Sequence, residues 1–278
     1  MHLLWTSGCA SHHVAAANDV SGTHQRLQQH MVNGRDPRVT AYLDSFPPSR
    51  KNERVKCCGS SRSLYCPECC RLVIPKKDWP SCLHDDSLRL PFDLHIVLDD
   101  QRATATGLHA VALLRNQVSL IDVKRGDPIQ DYRCAEQTYL LFPSPDSVPL
   151  STVNEIFTLV LLDCKWTRTS LSNSSLSHLP RVHLSSPPLE SHFWRSHTAG
   201  PKCLSTIEAI YYAALERDNN ENYIHLLWLF ALQRAAIQAQ GLWKDRKGLP
   251  FTEVGKEEQR AYRRQKKDEV EDGTLSRY

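Results

Sequence analysis

The sequence predicts an α/β protein with a mainly parallel sheet flanked by helices. Two stretches carry that expectation. Residues 156–166, IFTLVLLDCKW, form a continuous apolar run that stops at Asp163. A run of Ile, Leu and Val without polar alternation marks a strand buried on both faces, as parallel strands are. Residues 193–212, FWRSHTAGPKCLSTIEAIYY, form a polar loop that enters a helix through Ser205, Thr206, Ile207 and Glu208. A buried strand ending in a carboxylate and a helix start with free N–H groups are two standard pieces of a ligand site in an open α/β sheet.

The elements follow in order. Residues 1–50 show no sustained hydrophobic period and are expected to be poorly ordered. Strands are expected at 93–98, 109–114, 118–123, 138–142 and 156–162, each rich in Leu, Ile or Val and bounded by turn residues. Pro143 and Pro145 end the fourth run, because proline cannot continue a ladder. Residues 167–191 are Ser- and Pro-rich and read as a loop. Helices are expected at 204–216, with Ile207, Ile210, Tyr211, Ala214 and Leu215 on one face, and at 223–240. The division is thus an N-terminal segment 1–50, a cysteine-rich knuckle 54–76, a main domain 77–243 and a polar, partly basic tail 244–278. No internal repeat is visible.

Composition narrows the function classes. The 278 residues are 41% hydrophobic and 23% charged, as in an ordinary globular protein. A net charge of +3 is too small to imply nucleic acid by itself. No apolar run is long enough to span a bilayer, and the N-terminus lacks the basic start of a signal peptide. No membrane partner is expected, and the compartment is expected to be the nucleus and/or the cytoplasm. Residues 260–267, RAYRRQKK, carry five cations and no acid. They read either as a solvated surface or as an RNA-backbone or nuclear-import contact.

Five of the ten cysteines, Cys57, Cys58, Cys66, Cys69 and Cys70, fall within fourteen residues. Clustering of this kind points to a metal site rather than to a disulfide framework. Cys66 and Cys69 form a CxxC turn whose thiolates can face one ion. With the Cys57-Cys58 pair upstream they suit a closed structural zinc site, with Cys57 or Cys70 as the fourth ligand.

Asp163 has two readings at this point. It caps a turn or pairs with Arg168 or Arg195, or it faces the crevice at the carboxyl edge of the sheet. Residues 205–208 match a capping box, complete in itself as a helix start and worth about 1 kcal/mol.

Four segments carry a resemblance: CGSSRSLYCPEC (58–69), LLFPSPDSVPL (140–150), LLDCKW (161–166) and FWR…LSTIEAIYY (193–212). With their spacing they cover roughly 54–240. The chain resembles the DTW-domain family, in particular its tRNA-uridine aminocarboxypropyltransferase 1 type. The resemblance implies a SPOUT-like knotted sheet and S-adenosylmethionine as co-substrate. It also implies transfer of the 3-amino-3-carboxypropyl group to N3 of a uridine in the D-arm of tRNA. Asp163 is then the general base or orienter. Phe142, Pro143, Ser144, Leu162, Trp166, Leu204, Ser205 and Thr206 would line the cofactor. Arg195 and Lys165 would meet substrate, and Cys57, Cys58, Cys66 and Cys69 would hold zinc. Lys165 stands where the family motif has threonine, and Val55 where the group's first zinc cysteine is expected. The lysine gives weight to a second reading, a catalytically weakened RNA-binding relative. A third is a SPOUT-type RNA methyltransferase.

Overall fold

The computed structural model describes residues 34–48, 53–84, 87–165, 175–194 and 203–239. Its centre is one sheet of six parallel strands: β3 (Asp93–Asp99), β4 (Val118–Asp122), β5 (Thr138–Leu141), β6 (Val148–Pro149), β7 (Thr158–Cys164) and β8 (Arg181–His183). Their spatial order is β4-β3-β7-β5-β8-β6. Every adjacent pair runs parallel. The apolar run at 156–162 therefore lies in the interior, between β3 and β5, as its unbroken hydrophobicity requires. A two-stranded antiparallel hairpin, β1 (Val55–Cys57) and β2 (Ser60–Arg62), stands apart in the knuckle.

Among the described residues four α-helices accompany the sheet: α1 (Pro37–Asp44), α2 (Gly107–Leu113), α3 (Thr206–Asp218) and α4 (Trp228–Ala239). Alternation along β7 shows how they pack. Leu159 and Leu161 join the main core with residues of α2, α3 and α4. Val160, with Leu162 packed at its margin, belongs to a smaller cluster with Val97, Tyr132, Leu176 and Leu179 on the opposite face. Strand periodicity then puts Asp163 on the helical face, with Leu159 and Leu161. Ile207, Ile210, Ala214, Leu229 and Phe230 are fully buried there. Each large apolar side chain so buried contributes roughly 1.5–3 kcal/mol.

Three expectations are corrected. Residues 109–114 are not a strand: 109–113 fall in α2, Gly107–Leu113, and Leu114 follows as its C-cap. A short apolar run cannot be assigned by periodicity alone, and Ala110 and Ala112 favour helix once a helix start is fixed. The run expected as one helix at 223–240 opens as a 3₁₀ segment, Glu221–Leu227, and becomes α-helical at Trp228. Finally, the 1–50 segment contains helix α1. Asp36 caps it, accepting from Arg38 N at 2.9 Å, and Pro37 occupies its first turn. Its Val39 and Leu43 are fully buried. Arg234 of α4 donates to Asp44 at 3.0 Å, and the Tyr42 hydroxyl lies 3.2 Å from His225 Nδ1. Among the described residues no helix is long and apolar enough to cross a membrane. Residues 244–278, with the basic run, lie outside the described set.

Candidate active site at the carboxyl edge of the sheet

Three strands bring their carboxyl ends together. Leu98 of β3 is in register with both Asp122 of β4 and Asp163 of β7, so the two acids stand level on either side of β3. Both are buried, but they are neutralised differently. Asp122 accepts from Arg102 Nη1 at 2.6 Å. Asp163 has no cationic partner among the described residues. It accepts instead from the Gly107 N–H at 2.7 Å, and Thr206 lies beside the same backbone.

Thr206 is the first residue of α3 and Gly107 the first of α2, so the carboxylate sits where two helices begin. The starts also support each other: the Ile207 N–H donates to Thr106 Oγ1 at 3.4 Å. The capping box at 205–208 forms. Glu208 accepts from the Ser205 N–H at 2.9 Å and from its hydroxyl at 2.6 Å. Glu208 also accepts from the His192 N–H at 2.7 Å and from the Ser191 hydroxyl at 2.6 Å. These bonds tie the loop at 191–194 to the start of α3. Hydrogen bonding to so many partners holds the buried Glu208 carboxyl below its ordinary range although burial works to raise it.

Asp163 goes the other way. Burial pushes its carboxyl up to about 6; the Gly107 N–H and the Thr206 hydroxyl oppose the rise, and the Asp100 charge adds to it. A carboxylate with a pKa near 6 is mostly ionised at neutral pH and is still basic enough to accept a proton. Gly107 is required by close approach. A Cβ placed on it would lie 2.6 Å from Asp163 Oδ2 and 3.2 Å from Thr206 Cγ2.

The cofactor-lining expectations separate in space. Leu204, Ser205 and Thr206 stand at the α3 start, with Leu204 and Ser205 buried and their side chains committed to core and cap. Leu162 faces the opposite side of the sheet from Asp163, packed against the smaller cluster. Phe142 is on that side too, with the Arg181 guanidinium 5.6 Å from its ring centre. Leu140 pairs with Val160, so the chain leaves β5 at Phe142, Pro143 and Ser144 close to the level where β7 ends. Ser144 anchors that turn, its N–H donating to Ser147 Oγ at 3.1 Å. Lys165 is exposed just beyond β7. Trp166, Arg168 and Arg195 lie outside the described residues.

The knuckle completes this edge. Sγ atoms of Cys57, Cys58, Cys66 and Cys69 all lie within 4.8 Å of one another. Zinc at about 2.3 Å from four sulfurs in a tetrahedron requires S–S separations of about 3.8 Å; Cys57 and Cys69 are 3.6 Å apart. The adjacent Cys57-Cys58 pair works because Cys58 and Gly59 both have positive φ, 47° and 76°, between the paired Cys57 and Ser60. That is the two-residue hairpin turn in which both central residues are left-handed. Burial works to raise the Cys66 thiol, yet the N–H groups of Cys69 and Glu68 bring it down to about 7, towards the thiolate a metal needs. Cys70, one of the two alternatives for fourth ligand, is not in the group. It is buried in the main core, and its sulfur receives Arg102 Nη2 at 3.3 Å.

Arg102, which sequence reasoning missed, fixes the knuckle to the sheet. Besides Asp122 it donates to Pro67 O at 2.6 Å and Glu68 O at 3.0 Å, and Arg125 pairs with Glu68. Tyr65, inside the knuckle, was also missed. It packs edge-on against buried His109 at 5.2 Å. Its hydroxyl is pushed above the ordinary phenol range by burial and by the Cys70 and Asp163 charges, so the knuckle reaches the neighbourhood of Asp163. No periodicity or spacing signals either residue. Gly107 had a signal, a glycine after Thr106 at the head of an apolar run, hidden by the strand assignment.

Fold and site define an open parallel α/β protein with a buried acid at the carboxyl edge of a central strand and a four-cysteine group docked beside it. The family model described as DTW domain matches residues 63–238, and the chain belongs to that family. The matched stretch includes Asp163, Gly107, Tyr65, Cys66 and Cys69, and begins after Cys57 and Cys58. No curated protein and no solved structure matches the chain.

Proposed function

We propose that the chain is an S-adenosylmethionine-dependent tRNA-uridine aminocarboxypropyltransferase that acts on N3 of a uridine in the tRNA D-arm, in the nucleus and/or cytoplasm. Family membership is consistent with a tRNA-modifying role. The observation that carries the chemistry is Asp163: a buried carboxylate, raised to about 6, bonded to the Gly107 N–H and, among the described residues, without a cationic partner. A SPOUT-like knotted path is part of the proposal; the later strands β7 and β8, inserted inside strands laid down earlier, support it.

The residues at this edge suit a cationic ligand. Asp163, buried, and the neighbouring half-buried Asp100 bring two carboxylates to this edge. When bound, S-adenosylmethionine supplies an alkyl carbon activated by a sulfonium leaving group. Uridine N3–H is mostly protonated at neutral pH, and Asp163 is the group to accept that proton as N3 forms its new bond. Positioned bases of this kind are worth about 10²–10⁴-fold. Gly107 holds the carboxylate in place, and its fixed position supplies the alignment on which displacement depends. The four cysteines hold a structural zinc, which fixes the knuckle and with it Tyr65.

Lys165 favours a second reading, an RNA-binding relative with weakened catalysis, because it sets an exposed cation two residues beyond Asp163 where the family motif has threonine. Incubating the protein with unmodified tRNA and S-adenosylmethionine, then analysing nucleosides by mass spectrometry, separates the readings. An aminocarboxypropyl adduct on uridine supports the proposal and a methyl adduct replaces it with a methyltransferase. Tight tRNA binding without any adduct, restored to turnover by Lys165→Thr, supports the second reading.

A further inference from the structure

A cavity of about 390 Å³ lies away from Asp163, between the knuckle and the carboxyl end of α2. That volume is within the range of small-ligand sites. Its walls are mixed: Leu83 and Leu88, buried, and Trp79, half-buried, form an apolar floor, and Asn116 and Gln117 add polar groups. The Trp79 ring is fixed, since its Nε1–H donates to Ile74 O at 2.9 Å. Three exposed arginines, Arg71, Arg89 and Arg115, stand around this apolar floor. Among the described residues none of the three pairs with a carboxylate. Arg115 is aimed by one bond, donating to Cys70 O at 3.1 Å. Asp85 and Asp86, which fall between Leu83 and Leu88 in sequence, lie outside the described residues.

The surroundings are basic as well. Residues 53–84 carry six Lys and Arg against three acids, and one of those acids, Glu68, is taken by Arg125. The proposed transfer chemistry uses none of these cations.

We infer that this cavity is a second contact for the RNA substrate, taking one unpaired nucleotide with its base against Trp79 and its phosphate among Arg71, Arg89 and Arg115. Guanidinium groups offer a planar fork of donors matched to phosphate oxygens. An apolar wall with a fixed aromatic ring accepts any base by its face. RNA is bound in this way at unpaired loops rather than along a helix. Helix α2 links the cavity to the transfer site: Gly107 at its start touches Asp163, and Leu114, just past its end, lines the cavity. Its seven residues span about 10 Å, so the strand that presents a uridine to Asp163 can reach the cavity a few nucleotides away. The inference rests on the RNA-substrate reading above.

The test uses the full chain, zinc-loaded, and an unmodified tRNA transcript labelled for fluorescence anisotropy. The variants are the Arg71→Gln/Arg89→Gln pair and, as a control for lost surface charge, Arg133→Gln. The double variant is expected to bind tRNA about ten-fold more weakly or worse. Its slope of log affinity against log salt is expected to shrink by roughly 1–2, the loss of two phosphate contacts. S-Adenosylmethionine affinity by calorimetry stays unchanged, and Arg133→Gln binds tRNA as the wild type does. Wild-type tRNA affinity and slope in the double variant overturn the inference while leaving the proposed function intact. An equal loss in Arg133→Gln also overturns it, since general charge then suffices. Absence of tRNA binding by the wild type at every salt concentration removes the RNA reading itself.

Discussion

Replacing Asp163 with Asn should stabilise the protein at neutral pH, and the gain should depend on pH in a defined way. The carboxyl moves from 3.8 in the unfolded chain to about 6 in the fold, chiefly through burial. A raised carboxyl pKa means that the folded state binds the proton more tightly. Its contribution is therefore favourable at low pH and is lost as pH rises from about 4 through about 6. At about 1.36 kcal/mol per unit, the two-unit shift amounts to about 3 kcal/mol. Asn keeps an acceptor for the Gly107 N–H and carries no charge at any pH. Urea unfolding of both proteins, stepped from pH 4 to 7.5, should show the stability of Asp163→Asn gaining on the wild type by about 2–3 kcal/mol, with the gain levelling off above pH 6.5. The knuckle thiols titrate in both proteins and cancel in the difference. A difference that stays flat across the range would mean that Asp163 is not desolvated, and the basis for its role as a poised base would fall with it.

Other perturbations probe the supports of the site. Gly107→Ala drives a Cβ to within 2.6 Å of Asp163 Oδ2; it should cost about 1–3 kcal/mol in urea melts and lower kcat more than it changes substrate affinity. Cys66→Ser or Cys69→Ser should abolish stoichiometric zinc by elemental analysis and lower the Tm, whereas Cys70→Ser should keep the metal. Arg102→Ala leaves the buried Asp122 carboxylate with only the half-exposed Arg125, 3.5 Å away, and loosens the knuckle; a loss of about 3 kcal/mol is expected from denaturant melts. Turnover of the wild type should rise with pH through about 6 and then level, following ionisation of Asp163.

The sheet was legible where the residues had only one use. The run at 156–162 has no polar alternation, and only a central parallel strand buries both of its faces. The capping box at 205–208 could be read because its spacing serves the helix directly. The stretch around His109 misled, because Gly107, Leu108, Ala110 and Ala112 suit either element; what makes it a helix is the Asp163 carboxylate fifty-six residues away, fixing its first N–H. The same long range hides Arg102 and Tyr65, whose partners come from other elements. Helix α1 had its own signal in Asp36-Pro37, but its amphipathic face is short, only Val39 and Leu43. Four zinc-suited cysteines could be named from spacing, while the exclusion of Cys70 needed the fold, because its sulfur turns into the core towards Arg102.

The most direct test of the account is the rate at which wild type and Asp163→Asn transfer label from S-adenosylmethionine, labelled in its aminocarboxypropyl carbons, to unmodified tRNA. Both proteins should be shown beforehand to be folded and to bind the tRNA equally. The expected result is label on uridine N3 with the wild type and a rate about 10²-fold or more lower with Asp163→Asn. Equal rates in the two proteins would contradict the role of Asp163, and label on neither uridine nor any other tRNA nucleoside would contradict the proposed reaction.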